Sequence, residues 1–104
     1  MSAELIFNAL GDPLRRKLME TLAENSPRTA TQLAEIYPIT RQGILKHLNV
    51  LQNSGLVTVQ QQGREKRYNI TPKPLGELEQ WVHNIGEKSE QRLLRLKEML
   101  ENKE

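Results

Sequence analysis

Apolar residues fall along the chain in short blocks whose spacing changes from helical to strand-like and back. Leu5, Ile6, Phe7, Ala9 and Leu10 form a first helical block, which Gly11 breaks. Asp12-Pro13 opens a second helix, with a side-chain acceptor at the N-cap and proline at the first helical position, where its missing N–H costs nothing. Leu14, Leu18, Met19 and Leu22 share one face of it, and Asn25-Ser26-Pro27 closes it. Thr29-Ala30-Thr31-Gln32 has the spacing of a capping box. A short third helix follows with Leu33, Ala34 and Ile36, and Pro38 ends it by restricting Tyr37.

Thr40 caps a fourth helix, predicted over residues 41–53, with Ile44, Leu45, Leu48 and Leu51 on its core face and Gly55 at its end. The period then shortens. Residues 56–62 are β-prone, with Val57 and Val59 alternating. Gly63-Arg64-Glu65 reads as a turn, and residues 66–71 return with Tyr68 and Ile70 on one face. Pro72 and Pro74 start a last helix that runs to about Asn102. Its apolar positions, Leu75, Leu78, Val82, Ile85, Leu93, Leu96 and Leu100, step by threes and fours with Ser89 as a polar gap.

This order predicts a mainly α (α+β) chain: a winged helix-turn-helix with a two-stranded hairpin wing and a long C-terminal dimerisation helix. One domain spans residues 1–104, with the helix-turn-helix at 30–54, the wing at 56–71 and the last helix at 73–102. Hydrophobic residues make up 37% of the chain. So polar a chain of this length is elongated or completes its core with a partner. The apolar seam of the last helix is longer than one such domain can cover, which predicts a homodimer.

Composition narrows the function. With no cysteine, disulfide scaffolds and thiolate metal sites are excluded. No apolar run approaches 18 residues and no signal-peptide pattern is present, so a cytoplasmic protein without a membrane partner is expected. Net charge is only +2, but it is uneven. From Tyr37 to Pro72 the basic residues Arg41, Lys46, Arg64, Lys66 and Arg67 face a single acid, Glu65. That excess favours a polyanionic partner, double-stranded DNA.

The expected DNA-binding residues are Thr40, Arg41, Gln42, Gly43, Lys46 and His47 on the fourth helix and Arg64, Lys66 and Arg67 on the wing. Arginine and lysine donate to guanine, and glutamine pairs with adenine. Thr40 caps and bonds phosphate, while Gly43 leaves room for backbone to approach a base. Arg64, at the tip, is the expected minor-groove inserter. A charged tip that only guards a sheet edge is the plainer alternative. Trp81 is expected in the core or a dimer interface, and Tyr68 in the wing core. No nucleophile–base pair, phosphate loop or metal cluster is apparent, so neither catalysis nor a cofactor is expected.

Several of these segments resemble the ArsR/SmtB-type winged-helix repressors. Residues 7–16 (FNALGDPLRR) look like that family's opening, and residues 40–51 (TRQGILKHLNVL) like its recognition helix. Ser54-Gly55-Leu56-Val57 followed by Gly63-Arg64-Glu65-Lys66-Arg67-Tyr68 is similar to its wing. Pro74-Leu75, Trp81 and Leu93-Leu96-Leu100 look like the final helix of a metal-free subgroup. The resemblance implies a repressor whose dimer, formed by the first and last helices, binds a palindromic operator. The interface would use Leu5, Ile6, Leu78, Val82, Ile85, Leu93, Leu96 and Leu100.

There are departures. Thr29 and Thr31 stand where metal-sensing members carry Cys-x-Cys, Pro38 where the family often has glycine, and Ser89 where the subgroup often has tryptophan. Threonine cannot serve as a soft thiolate ligand. Glu79 and His83, four apart on the last helix, have the spacing of half a zinc site, which keeps a zinc-responsive repressor open beside a solvated Glu–His pair. A winged helix that binds protein instead of nucleic acid is the other alternative.

Overall fold

A computed structural model describes residues 3–101, the Leu93 side chain excepted, so the expectations placed on Leu93 and Asn102 lie outside the described residues. Eight elements follow one another: α1 (Ala3–Leu10), α2 (Pro13–Glu24), β1 (Arg28–Thr29), α3 (Ala30–Ile36), α4 (Arg41–Asn53), β2 (Val57–Gln62), β3 (Glu65–Ile70) and α5 (Pro72–Glu101).

The starts of α2, α3 and α4 carry their polar signatures. Asp12 Oδ1 accepts from the backbone N–H of Leu14 at 2.8 Å and of Arg15 at 3.2 Å. Thr29 and Gln32 form the reciprocal capping box, at 3.1 and 2.9 Å. Thr40 Oγ1 accepts from Gly43 N at 3.1 Å. At the far end of α4, Gly55 takes φ 83°, and Leu56 N donates back to Leu51 O at 3.0 Å. Ser54, though buried, is satisfied through its hydroxyl on Leu51 O.

The α1–α2 corner is held by side chains. Arg15 Nε donates to Ala9 O at 2.6 Å and Arg15 Nη2 to Asn8 O at 3.1 Å, while Arg16 Nη1 reaches Leu10 O at 2.6 Å. Two arginines of α2 thereby satisfy the last carbonyls of α1, which no intrahelical donor reaches.

The sheet has three antiparallel strands in the order β1-β3-β2. The expected two-stranded hairpin is β2–β3, and a two-residue strand joins its edge, with Arg28 paired to Tyr68 and Thr29 to Arg67. β2 and β3 run in register from Val57↔Ile70 to Gln62↔Glu65, leaving only Gly63-Arg64 as the connection. The turn is therefore one residue tighter than expected. Gly63 takes φ 63°, and among the described residues no non-glycine residue has positive φ, as in hairpins with glycine at the first turn position.

A single core gathers Ile6, Leu18, Leu22, Leu33, Ile44, Leu48, Leu51, Leu56, Val57 and Tyr68. Ile36, the last residue of α3, is 49% exposed. α5 packs on α1 near its own start, where Pro74 is buried and Leu75 and Leu78 are half-buried. From Glu79 to Glu101 every side chain described is exposed. A helix of 30 residues spans about 45 Å, and its projection gives the molecule extents of 73 × 27 × 22 Å.

Candidate nucleic-acid interface

α3 and α4 are joined by a short turn in which Ile39 N donates to Tyr37 O at 2.8 Å. Tyr37 anchors this turn to α2. Its hydroxyl donates to Lys17 O at 3.0 Å and is also hydrogen-bonded to Thr21 Oγ1. The apolar face of α4 is buried through Ile44, Leu48 and Leu51, so the opposite face must point outward. Gln42 and Lys46 are exposed on it and Thr40 caps at its start, while Arg41, also exposed, stands one turn before Ile44 and flanks the buried face on the side of α3.

Asn49 was missed. It is exposed and falls at i, i+4, i+7 from Gln42 and Lys46, a spacing legible in the sequence.

Two α4 residues have other surroundings than expected. Gly43 is half-buried, and a Cβ there would lie 2.6 Å from Ile39 Cγ2. Its missing side chain makes room for Ile39, not for a base. His47 is half-buried, with Nδ1 3.4 Å from Arg15 Nη1. It ties α4 to the α1–α2 corner through the arginine that caps α1. His47 and Arg15 also help hold the Asp12 carboxyl below its ordinary value of 3.8, the largest cause being the Arg15 backbone N–H.

On the wing, strand alternation divides the basic residues. Lys66 and Tyr68 share one face of β3, and together with Arg64 they line a groove of about 500 Å³ that faces α3 and α4. Arg67 lies on the other face, where Nη2 and Nε meet Glu65 Oε2 at 3.2 and 3.3 Å. Arg41 lines the groove from α4, its Nε donating to Thr31 Oγ1 at 3.2 Å. The structure thus brings Arg41, Arg64 and Lys66 around one groove and leaves Arg67 out of its lining, paired with the groove-lining Glu65. Tyr68 is 2% exposed, and burial raises its hydroxyl above the ordinary value of 10.0, with Arg41 opposing. It stays a neutral donor at physiological pH.

The threonines do not suit a metal ion. Thr29 Oγ1 accepts the Gln32 N–H in its capping box and Thr31 Oγ1 accepts from Arg41. A fixed guanidinium beside two hard, neutral oxygens disfavours a soft cation. On α5, His83 Nε2 lies 3.8 Å from Glu87 Oε2, one turn beyond the expected Glu79 partner. Among the described residues no three potential metal ligands cluster.

At the other end of the molecule, Phe7 and Trp81 meet edge to face with centroids 4.8 Å apart. Trp81 is 49% exposed, so it belongs to a surface between α1 and α5, not to the core. Leu5, Val82, Ile85, Leu96 and Leu100 are exposed large apolar residues, whereas Ile6 is only 2% exposed inside its own protomer. Ile6 therefore supports the α1 surface from beneath and is not available to a partner.

A short helix pair with an outward polar face, beside a basic hairpin, defines a winged helix-turn-helix of the nucleic-acid-binding class. Residues 10–60 match a helix-turn-helix domain family. The chain is 37% identical over 81 residues to the uncharacterized HTH-type transcriptional regulator YuzN of Bacillus subtilis, covering 72% of this chain and 88% of that one. It is 28% identical over 85 residues to the transcriptional repressor SdpR of the same organism, covering 82% and 93%. Among solved structures, an ArsR-like transcriptional regulator from Rhodococcus sp. RHA1 superposes with TM-score 0.84 at 35% identity, over 97% of this chain and 92% of its own. The chain belongs to the ArsR-like helix-turn-helix transcriptional regulators, and its task is DNA-binding regulation of transcription.

Proposed function

We propose that the protein is a repressor that binds a palindromic operator as a homodimer, without metal or other cofactor and without catalysing a reaction. The observation that carries this reading is the groove between α4 and the wing lined by Arg41, Arg64 and Lys66, beside the exposed Gln42 and Lys46 of α4. Among the described residues, the only acid lining the groove, Glu65, is engaged by Arg67.

Gln42, Lys46 and Asn49 read base edges in the major groove, and Thr40 and the wing cations hold the backbone. His47 and Gly43 position α4. The working parts are the helix-turn-helix at 30–54, the wing at 56–71 and the last helix at 73–102. Repression is supported by the name of the relative SdpR. The dimer is supported by the apolar surface of α1 and α5, which the protomer leaves uncovered, and a dimer places two α4 helices in successive major grooves. No helix of the described residues is long and apolar enough to cross a membrane. We place the protein in the cytoplasm, with its operator.

Selection of bound sequences from random duplexes, with and without zinc, tests the reading. A palindromic consensus insensitive to zinc is expected, and Lys46→Ala should weaken binding and relax preference within each half-site. A zinc-dependent consensus would return the switch to Glu79 and His83. An unselected pool would remove sequence-specific binding.

A further inference from the structure

The groove between the α3–α4 pair and β3 holds a group that the DNA-contact assignment leaves unused. Tyr68 is 98% buried and lines the groove, and its hydroxyl, with no protein hydrogen bond among the described residues, is not sealed from solvent but opens into the groove. An open phenol at a groove wall can exchange its water for a ligand acceptor. Arg41 lines the same groove and is close enough for its charge to act on that hydroxyl. Its guanidinium is held in place by Thr31 at 3.2 Å, leaving further N–H donors for a ligand. Arg64 and Lys66 also line it, neither with an acidic partner among the described residues, and the one acid in the lining, Glu65, is paired with Arg67. Three cations and one neutral donor around about 500 Å³ match an oxyanion with several acceptor oxygens. They repel a metal cation.

We propose that this groove is a phosphate seat, in which the Tyr68 hydroxyl and the Arg41 guanidinium hold one phosphoryl group between the recognition helix and the wing. On the DNA-binding reading, on which the source of the group rests, it is a backbone phosphodiester of the operator. The same chemistry accepts a free phosphorylated small molecule, which would then block the DNA face from within. The seat fixes the register of α4 in the major groove, because it joins helix and wing to one point of the backbone.

The test uses Tyr68→Phe, which removes one oxygen and keeps the packed ring, so its melting temperature should match the wild type. With a duplex selected from a random pool, Y68F should bind about tenfold more weakly. Its salt dependence should be unchanged because the lost group is uncharged, whereas Arg41→Gln should lower the log–log salt slope by about one. Methylphosphonate replacement of single phosphates should reveal one position per half-site that is costly to the wild type and nearly neutral to Y68F. Equal affinities of wild type and Y68F at every position would overturn the seat on DNA.

A second arm titrates the free protein with sodium phosphate against sodium chloride at matched ionic strength, following the Arg41 and Tyr68 resonances. Saturable shifts in the wild type, weakened in Y68F, with phosphate displacing the duplex, assign the seat to free phosphoryl ligands as well. Shifts absent while the methylphosphonate effect is present assign it to DNA alone. If the wild type binds no duplex even at low salt, the DNA-binding reading fails, and the phosphate titration alone decides. Saturable, Tyr68-dependent shifts then uphold the seat, and their absence rejects it.

Discussion

Gly43 sits in the first turn of α4, where a methyl group would lie 2.6 Å from Ile39 Cγ2. Alanine is the better helix former by about 1 kcal/mol. Ile39 is β-branched and stiff at that atom, so overpacking should win. Gly43→Ala should cost roughly 1–3 kcal/mol in urea denaturation, and Ile39→Ala in the same chain should relieve part of it. A stabilised G43A would show that Ile39 moves aside. Nothing in sequence spacing distinguishes a glycine that admits a base from one that admits a neighbour, because the difference is a tertiary contact across the turn. Asp12 is the opposite case, fully legible as an N-cap before Pro13. Its lowered pKa stabilises the fold above the unfolded carboxyl value, and that contribution is lost as pH falls through the still lower folded value. Thermal melts of wild type and Asp12→Asn should therefore differ at neutral pH and converge as pH falls through the lowered folded value. A difference that persists unchanged there would mean the charge contributes nothing.

At the scale of elements, Arg15 connects what helix signals alone leave separate. It caps Asn8 and Ala9 at the end of α1 and contacts His47 on α4, so the helix proposed to read DNA is referenced to the helix proposed to face the partner. Arg15→Gln should lower stability by about 1–3 kcal/mol, the range for hydrogen bonds to a charged donor. It should also speed hydrogen exchange in α1, read by mass spectrometry. Unchanged exchange would show that α1 is held by apolar packing alone. The helices themselves were legible because caps, prolines and apolar spacing agree at each one: Thr29 with Gln32, Thr40, and Gly55 all act as their residue types predict. β1 was not, since two residues carry no alternation and their pairing with Tyr68 and Arg67 is set by the returning chain. The division of Arg64 and Lys66 from Arg67 was available from strand alternation once the turn was known to be Gly63-Arg64.

For the whole molecule, the question is what covers α5. Val82 and Ile85 are 55% and 45% exposed, just beyond Trp81, which still packs on Phe7 of α1. Sedimentation should give about twice the 12.0 kDa chain mass. Ile85→Glu should yield monomers of unchanged helicity that lose operator affinity by about 100-fold, as two linked half-site contacts become independent. Retained operator affinity in a monomeric I85E would remove the two-half-site mechanism. The long seam announced this surface in the sequence. It did not show that Ile6 lies beneath the surface and Trp81 on it, since that depends on how α1 rolls against α5.

The central claim is that the α4 and wing face binds DNA, and a salt titration of duplex affinity tests it most directly. Engagement of several phosphates by Arg41, Arg64 and Lys66 predicts log affinity falling linearly with log salt, by about 0.9 per phosphate neutralised. Lys66→Ala should reduce that slope by about one. A wild-type protein with no duplex affinity at the lowest salt, or with an affinity indifferent to salt, would contradict the account and leave the face to a protein partner.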